Sequence, residues 1–284
     1  MITRSAGQHV FIALGTPWLD AAVAFLEPKA KVDPWSFHGH MAAGDVLITV
    51  LDTDPRTVLC AETLTAPFAD GMARLEVSEN YDTFSRLPLV PDIEKAMSIQ
   101  FPSETGQIDD ALGDRILWVL HSAVGLDSFE IDTTDPTSTA AHARTLLGSY
   151  GSCTACDAPL RLNKFTAGDS MHFHSASRSF RQFEPGDDCP AVLCRKCAGR
   201  IASSAYTNLV EYMVSTHPLC PQCRARWTSR CSPGMPAYLH NERPWISVTG
   251  CVVGPNTPQW SCLKCHHSWG NMFELPPELD ERVW

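Results

Sequence analysis

The residues with the plainest chemistry are cysteines, eight of which fall in four CxxC pairs: Cys153/Cys156, Cys194/Cys197, Cys220/Cys223 and Cys262/Cys265. Two intervening residues let both thiolates of a pair turn toward one ion, and two pairs complete a closed tetrahedral zinc site. Four pairs therefore predict two structural Zn2+ sites with these eight cysteines as ligands. A disulfide framework is the rival reading, and it fits poorly with a chain of 284 residues that opens without an export signal. A thioredoxin-like redox motif needs one CxxC between a strand and a helix, not four.

The order of pairing has two solutions. Consecutive pairing leaves 37 residues inside the first site and 38 inside the second, whereas a cross-brace joins the first pair to the third and the second to the fourth. Two features favour consecutive pairing. After Cys197 comes a helix-like run with Ile201, Ala205, Leu209 and Met213 at spacing four, closed by Pro218. After Cys220-Pro-Gln-Cys223 the helical period disappears, and strand-like pieces follow at 245–248, 251–253 and 259–262. Cys189, Cys231 and Cys251 are left over, and read as small packed side chains rather than a third site.

The segment 217–270 resembles the zinc ribbons of many bacterial proteins, through Cys220-Pro-Gln-Cys223, Gly250-Cys-Val-Val-Gly254, Pro258-Gln-Trp-Ser-Cys-Leu-Lys-Cys265 and Trp269. The segment before it resembles the treble-clef metal fold shared by HNH nucleases. Its stations are Cys153-Thr-Ala-Cys156, Met171-His-Phe-His-Ser175, Gly186-Asp-Asp-Cys-Pro190 and Cys194-Arg-Lys-Cys-Ala198. That resemblance implies a strand histidine, His174 or His172, as general base on water. It also implies an asparagine that orients it, and a helix histidine that helps hold a divalent Mg2+ or Mn2+ beside the leaving oxygen. The loop station has no asparagine, and Ala198 stands where the metal-binding histidine belongs. Asp187, Asp188 and Asn208 are the candidates for displaced ligands. Two of three roles being empty, the expected module is zinc-stabilised and degenerate as a nuclease.

Stepping outward, composition splits the chain at the same place as its cysteines. Residues 1–149 carry one cysteine, Cys60, with 9 basic against 21 acidic residues, a net −12; residues 150–270 carry 12 basic and 7 acidic, a net +5. With 44% hydrophobic and 19% charged residues, the chain reads as globular. It contains no run of 18 apolar residues, so no membrane partner is expected and the expected address is cytoplasmic. The sequence predicts strands at 9–14, 46–51, 57–64, 73–77 and 115–121. A helix is predicted after Thr16, with Pro17 at its first position and Leu19, Val23 and Leu26 on its apolar face.

Landmarks in this half resemble the PUA-like superfamily, nearest its EVE and YTH-type branch. They are Thr16-Pro17-Trp18, Trp35, Met41-Ala-Ala-Gly44-Asp45-Val-Leu-Ile48 with its "GD" turn, and Asp54-Pro55-Arg-Thr-Val58. The resemblance implies a base flipped between aromatic walls, for which Trp18, Trp35 and Trp118 are the candidates, each stacked base contributing about 1–3 kcal/mol. Trp118 lies in the apolar run 116–120 and reads as core, while Trp35, between Pro34 and Ser36, reads as the best wall. The acidic balance counts against a phosphate-binding surface.

The expected fold class is α+β: a small mixed PUA-like β-barrel over 1–131, a linker and helix over 132–149, an HNH-like treble clef over 150–216, and a zinc ribbon with a tail over 217–284. The expected function is binding of DNA or RNA at a modified or unusual base, with nuclease activity lost or altered. The rivals are an active modification-dependent HNH endonuclease and a scaffold whose acidic half binds a basic protein.

Overall fold

The computed structural model describes residues 5–27, 35, 40–67, 82–83, 87–124, 135–162, 170–177, 186–234, 243–250 and 254–273. The chain divides into two compact units, Met1–Ser177 with Pro190–Arg195, and Arg178–Cys189 with Lys196–Trp284. It is mixed α+β throughout, and among the described residues no helix is long and apolar enough to cross a membrane.

The first unit is built on a five-stranded sheet in the order β4-β3-β2-β1-β5, from β1 (Val10–Gly15), β2 (Val46–Leu51), β3 (Thr57–Thr63), β4 (Asp82–Thr83) and β5 (Gly106–Gln107). β1 and β2 run parallel, with Val10 opposite Val46 and Gly15 opposite Leu51. Such a pair needs a crossover, and α1 (Trp18–Leu26) lies in it. Every residue of β2 is buried, the mark of a central strand covered on both faces. On one face Val10, Ile12, Val46, Ile48 and Val50 pack with Val90, Ile93 and Met97 of α2 (Val90–Met97) and Ile116, Leu117 and Leu120 of α3 (Asp110–Val124). The other face carries two clusters. Leu51, Leu59, Cys60 and Leu87 pack with Ala21 of α1 and Ala143 of α4 (Thr139–Gly148), while Phe11, Ala13, Met41, Leu47 and Leu64 gather beside them. Along β1 and β2 the strand period of two divides alternate residues between these faces, whereas a bulge in the β2–β3 pairing puts the neighbours Leu59 and Cys60 in one cluster. Sheet and helices thus form layers, and the described pairings leave the sheet open at β4 and β5 rather than closing a barrel.

Three strands expected from sequence fall within a residue of β1, β2 and β3. The run 115–121 does not form a strand: it lies inside α3. Its apolar block was ambiguous in period, and burial resolves it, since Gly113, Ile116, Leu117 and Leu120 are buried while Asp114, Arg115 and Trp118 face outward. Asp109 starts the helix, its carboxylate accepting from the Leu112 N–H at 3.1 Å. Gly113 is required where α3 crosses β1, because a Cβ there would lie 2.7 Å from Val10 Cγ2. The expected strand at 73–77 lies outside the described residues.

Strand β6 (Met171–His174) pairs antiparallel with β7 (Ala191–Cys194), and α5 (Arg195–Ala202) continues directly from β7. The single helix expected through Ile201, Ala205, Leu209 and Met213 is instead two, α5 and α6 (Leu209–Ser215). The Ser203 and Ser204 hydroxyls donate back to the Gly199 and Ile201 carbonyls and end the first. Asn208 caps the second by accepting from the Glu211 N–H at 2.9 Å. Ala205 is exposed between them. The second unit ends in a four-stranded sheet, order β11-β10-β8-β9, from β8 (Thr228–Ser232), β9 (Ile246–Val248), β10 (Trp260–Cys262) and β11 (Ser268–Trp269). Among the expected strand pieces, 245–248 and 259–262 are found, and 251–253 lies outside the described residues.

Candidate metal centres

Three of the four CxxC pairs share one backbone loop. In the first, the Asp157 N–H donates to the Cys153 carbonyl at 2.9 Å, the Cys153 N–H to the Ala158 carbonyl at 2.8 Å, and Asp157 takes φ +58°. Arg224 and Ala225 repeat this around Cys220, with Arg224 at φ +60°, and His266 and His267 repeat it around Cys262, with His266 at φ +58°. Each loop aims two thiols at one point. The fourth pair is built differently: Cys194 ends β7 and Cys197 lies in the first turn of α5, so helical spacing turns both sulfurs to one side.

The loops assemble into two groups, Cys153, Cys156, Cys194 and Cys197, and Cys220, Cys223, Cys262 and Cys265, whose sulfurs lie within 4.8 Å of one another. Pairing is consecutive, which removes the cross-brace. Sulfur separations are 3.9 Å for Cys156–Cys194 and 3.6 Å for both Cys220–Cys265 and Cys223–Cys262. A zinc tetrahedron with Zn–S near 2.3 Å has edges of about 3.8 Å, whereas a disulfide needs about 2.05 Å. Among the described residues no cysteine is in a disulfide. Both groups fit a structural Zn2+, each having four protein thiolates and no open position.

The thiols of the second group also behave as a set. In Cys220, desolvation raises the pKa, but N–H donation from Cys223 and Gln222 and the thiols of Cys265 and Cys223 outweigh it and bring it down to about 7. In Cys265 the His267 N–H lowers the pKa, while burial and contacts with the Cys223, Cys220 and Cys262 thiols prevail and push it up to about 12. Four sulfurs so close cannot all carry charge unless a cation sits among them.

No family model, no curated protein and no solved structure matches this chain. Its function must be argued from its own residues.

His172 and His174 both lie on β6, and alternation puts them on the face opposite Met171 and Phe173; His172 is exposed and His174 half-buried. Position 198, where a nuclease would place its metal-binding histidine, is half-buried alanine in α5. Two of the three polar residues that could replace it, Asn208 and Asp188, are engaged elsewhere. The Asn208 side-chain amide donates to the Asp187 and Gly186 carbonyls at 2.9 and 3.2 Å, in addition to its capping role. The Asp188 carboxylate accepts from the backbone N–H groups of Leu209 and Cys189. Among the described residues no third group of three or more His, Cys, Asp or Glu side chains comes together as these two do. Cys189 and Cys231 are buried outside both groups, as expected of packed small side chains, and Cys251 lies outside the described residues.

The three tryptophans proposed as base walls have different surroundings. Trp35 bridges to Gly15 and is partly buried against both clusters on that face of the sheet; a Cβ on Gly15 would meet its ring at 2.7 Å. Trp118, expected in the core, is 64% exposed on α3. Trp18 is half-buried at the start of α1, with its ring 6.3 Å from Phe173. Sequence reasoning missed Phe173 and His142, whose rings stack 4.3 Å apart at 7°. Neither position had a motif to announce it, because the contact joins α4 to a strand some thirty residues later.

The "GD" turn has a clear structural role. Gly44 sits at φ +94°, and the buried Asp45 carboxylate accepts from the His9 N–H at 2.8 Å and the Ala42 N–H at 2.7 Å. This ties the entrance of β1 to the entrance of β2.

Proposed function

We propose that the chain is a nucleic-acid-binding protein held together by two structural Zn2+ ions. In this reading the first unit is PUA-like and recognises a modified base, the first zinc group stabilises a treble clef of HNH type that no longer cleaves, and the second stabilises a zinc ribbon. The observation that carries it is the pairing of a retained histidine strand with Ala198 at the metal position. A two-thiol loop, the antiparallel β6–β7 pair and α5 follow one another along the first four cysteines, and this reading takes that order as a treble clef. Metal-assisted hydrolysis, however, needs a ligand to fix the cation beside the leaving oxygen, and alanine has no donor. Asn208 and Asp188 are occupied in holding α6 to the preceding loop. A module that keeps its zinc and lacks its catalytic ligand is a binding platform.

The base-reading part rests on the parallel β1–β2 pair with its crossover helix, on the Gly44–Asp45 turn, and on Trp18. Trp18 and Trp35 both pack, partly buried, on the same core cluster, and Trp118 is outward on a separate helix; Trp18, beside Phe173, is the wall this reading selects.

The test is binding of the zinc-loaded chain to matched modified and unmodified oligonucleotides, followed by incubation with Mg2+ or Mn2+. Selective retention without cleavage is expected, and Trp18→Ala should remove the selectivity. Cutting by the wild-type chain that is abolished in His174→Ala establishes the endonuclease instead. Failure to bind any oligonucleotide leaves the zinc-stabilised scaffold.

A further inference from the structure

The ribbon sheet presents a row of side chains that none of the preceding roles uses. Trp260 stands directly opposite Trp269 on one side and opposite Arg230 on the other, and Arg230 in turn opposite Ile246. Residues directly opposite one another project to the same face, so Arg230, Trp260 and Trp269 form a line across three strands. The alternate row, Ser229, Ser261 and Ser268, belongs to the other face. Two histidines extend the line. The His217 ring meets Trp260 edge-on at 4.9 Å, and the His267 ring lies parallel to Trp269 at 5.9 Å and 8°. His217 is fixed by a 2.8 Å bond between Nδ1 and the Thr228 carbonyl.

These rings are not the ribbon's core. Trp245 is buried at 3% exposure and fills that role, while Trp260 and Trp269 are half-exposed and Arg230 is exposed. Exposed cations lie in the loops that adjoin these strands. Arg224 and Arg226 follow the first cysteine pair of the ribbon, Lys264 lies within the second, and the Leu263 N–H donates to the Trp227 carbonyl, joining those two segments. Residues 217–273 contain Arg224, Arg226, Arg230, Arg243 and Lys264 against one acid, Glu242, and the tail after Phe273 adds four acids and Arg282. Partly exposed aromatic rings in line with the exposed Arg230 suit a polyanion whose units carry flat rings.

We infer that this face of the ribbon binds single-stranded nucleic acid, bases stacking on Trp260 and Trp269 and phosphates meeting Arg230 and the loop cations. Stacking needs unpaired bases and tolerates any sequence, because every base has a π-face. The site is separate from the base-reading role given to the first unit. It supplies backbone and stacking affinity that the acidic first half does not, and stands if that role fails.

The experiment uses the full zinc-loaded chain and a short fluorescein-labelled oligothymidylate, read by fluorescence anisotropy, with a duplex of equal length and a polyglutamate peptide as competitors. Trp269 is on the edge strand, and Trp269→Ala should weaken binding roughly 5- to 150-fold, with Trp269→Phe recovering most of it. Arg230→Gln should flatten the dependence of log affinity on log salt by about 0.7, the increment for one phosphate contact on a single strand. Trp118→Ala, on the outer face of α3, should leave this affinity unchanged. Zinc content is measured for each variant; should Trp269→Ala lose metal, Arg230→Gln decides. Unchanged affinity and salt slope in metal-replete variants overturn the inference, as does equal competition by the duplex, which would mean charge without stacking. Displacement by polyglutamate at equal charge, with no preference for the oligonucleotide, overturns it in favour of an acidic protein partner. Base selectivity that depends on Trp18 is scored separately, so either site can fail alone.

Discussion

The imidazole of His142 lies flat on the ring of Phe173, centroids 4.3 Å apart, with its Nε2 3.0 Å from Ser175 Oγ. This contact fastens β6, and with it the hairpin that leads into the second cysteine pair, to α4. Burial lowers the His142 pKa, so the folded state prefers the neutral ring. The unfolded chain keeps the ordinary value near 6.5, and above it the contribution of the stack is complete. As pH falls below about 6.5 the unfolded state takes up protons that the folded state refuses, and stability declines. His217, lowered by burial first and by Arg230 as well, acts in the same direction. Thermal denaturation between pH 7 and pH 5.5, over the range in which zinc stays bound, should therefore show a falling Tm, and His142→Gln should show a smaller fall. An equal fall in both would remove His142 from the account.

Elemental analysis of protein prepared without chelator should give two zinc ions per chain. Cys153→Ser and Cys220→Ser should each remove about one, because a three-thiolate remnant binds far more weakly and metal binding is folding free energy for such modules. Loss of both ions from a single substitution would show that the two groups are not independent.

Trp35 and Trp118 should exchange the behaviour their sequence contexts suggest. Trp35→Ala empties space against Gly15 and the sheet and should cost about 3–5 kcal/mol in denaturant unfolding. Trp118→Ala, on the outer face of α3, should change stability by less than about 0.5 kcal/mol. The reverse order would contradict the packing of the first unit.

Asp45→Ala leaves the His9 and Ala42 N–H groups without their acceptor where β1 and β2 enter the sheet. A loss of about 1.5–3 kcal/mol is expected, the range for hydrogen bonds to a charged group. Hydrogen exchange at those two amides should rise at the same time, and protected amides in the variant would count against this role.

How much could be read before folding was considered depends on whether the signal is local. The CxxC spacing is local: it makes a two-thiol loop, and the identity of all eight ligands follows from it. Strands β1, β2 and β3 are equally legible, being largely apolar, β-branched-rich runs bounded by turn residues. Consecutive pairing of the knuckles was favoured by the helix after Cys197, yet only the assembled sulfur tetrahedra decide it, since ligand spacing is the same in a cross-brace. Period failed where apolar residues were contiguous. The block 116–120 fits a buried strand or a buried helix, and the crossing of Gly113 over Val10 settled the matter in favour of α3. Trp118 then turned outward, because helical spacing carries position 118 away from 116, 117 and 120. What remained hidden were the relationships between distant segments, namely His142 on Phe173, Asp45 on His9, and Trp260 between Arg230 and Trp269. Each joins residues whose side chains meet only once helix packing or strand register has fixed which faces they share, and register is a property of the sheet that no single strand carries.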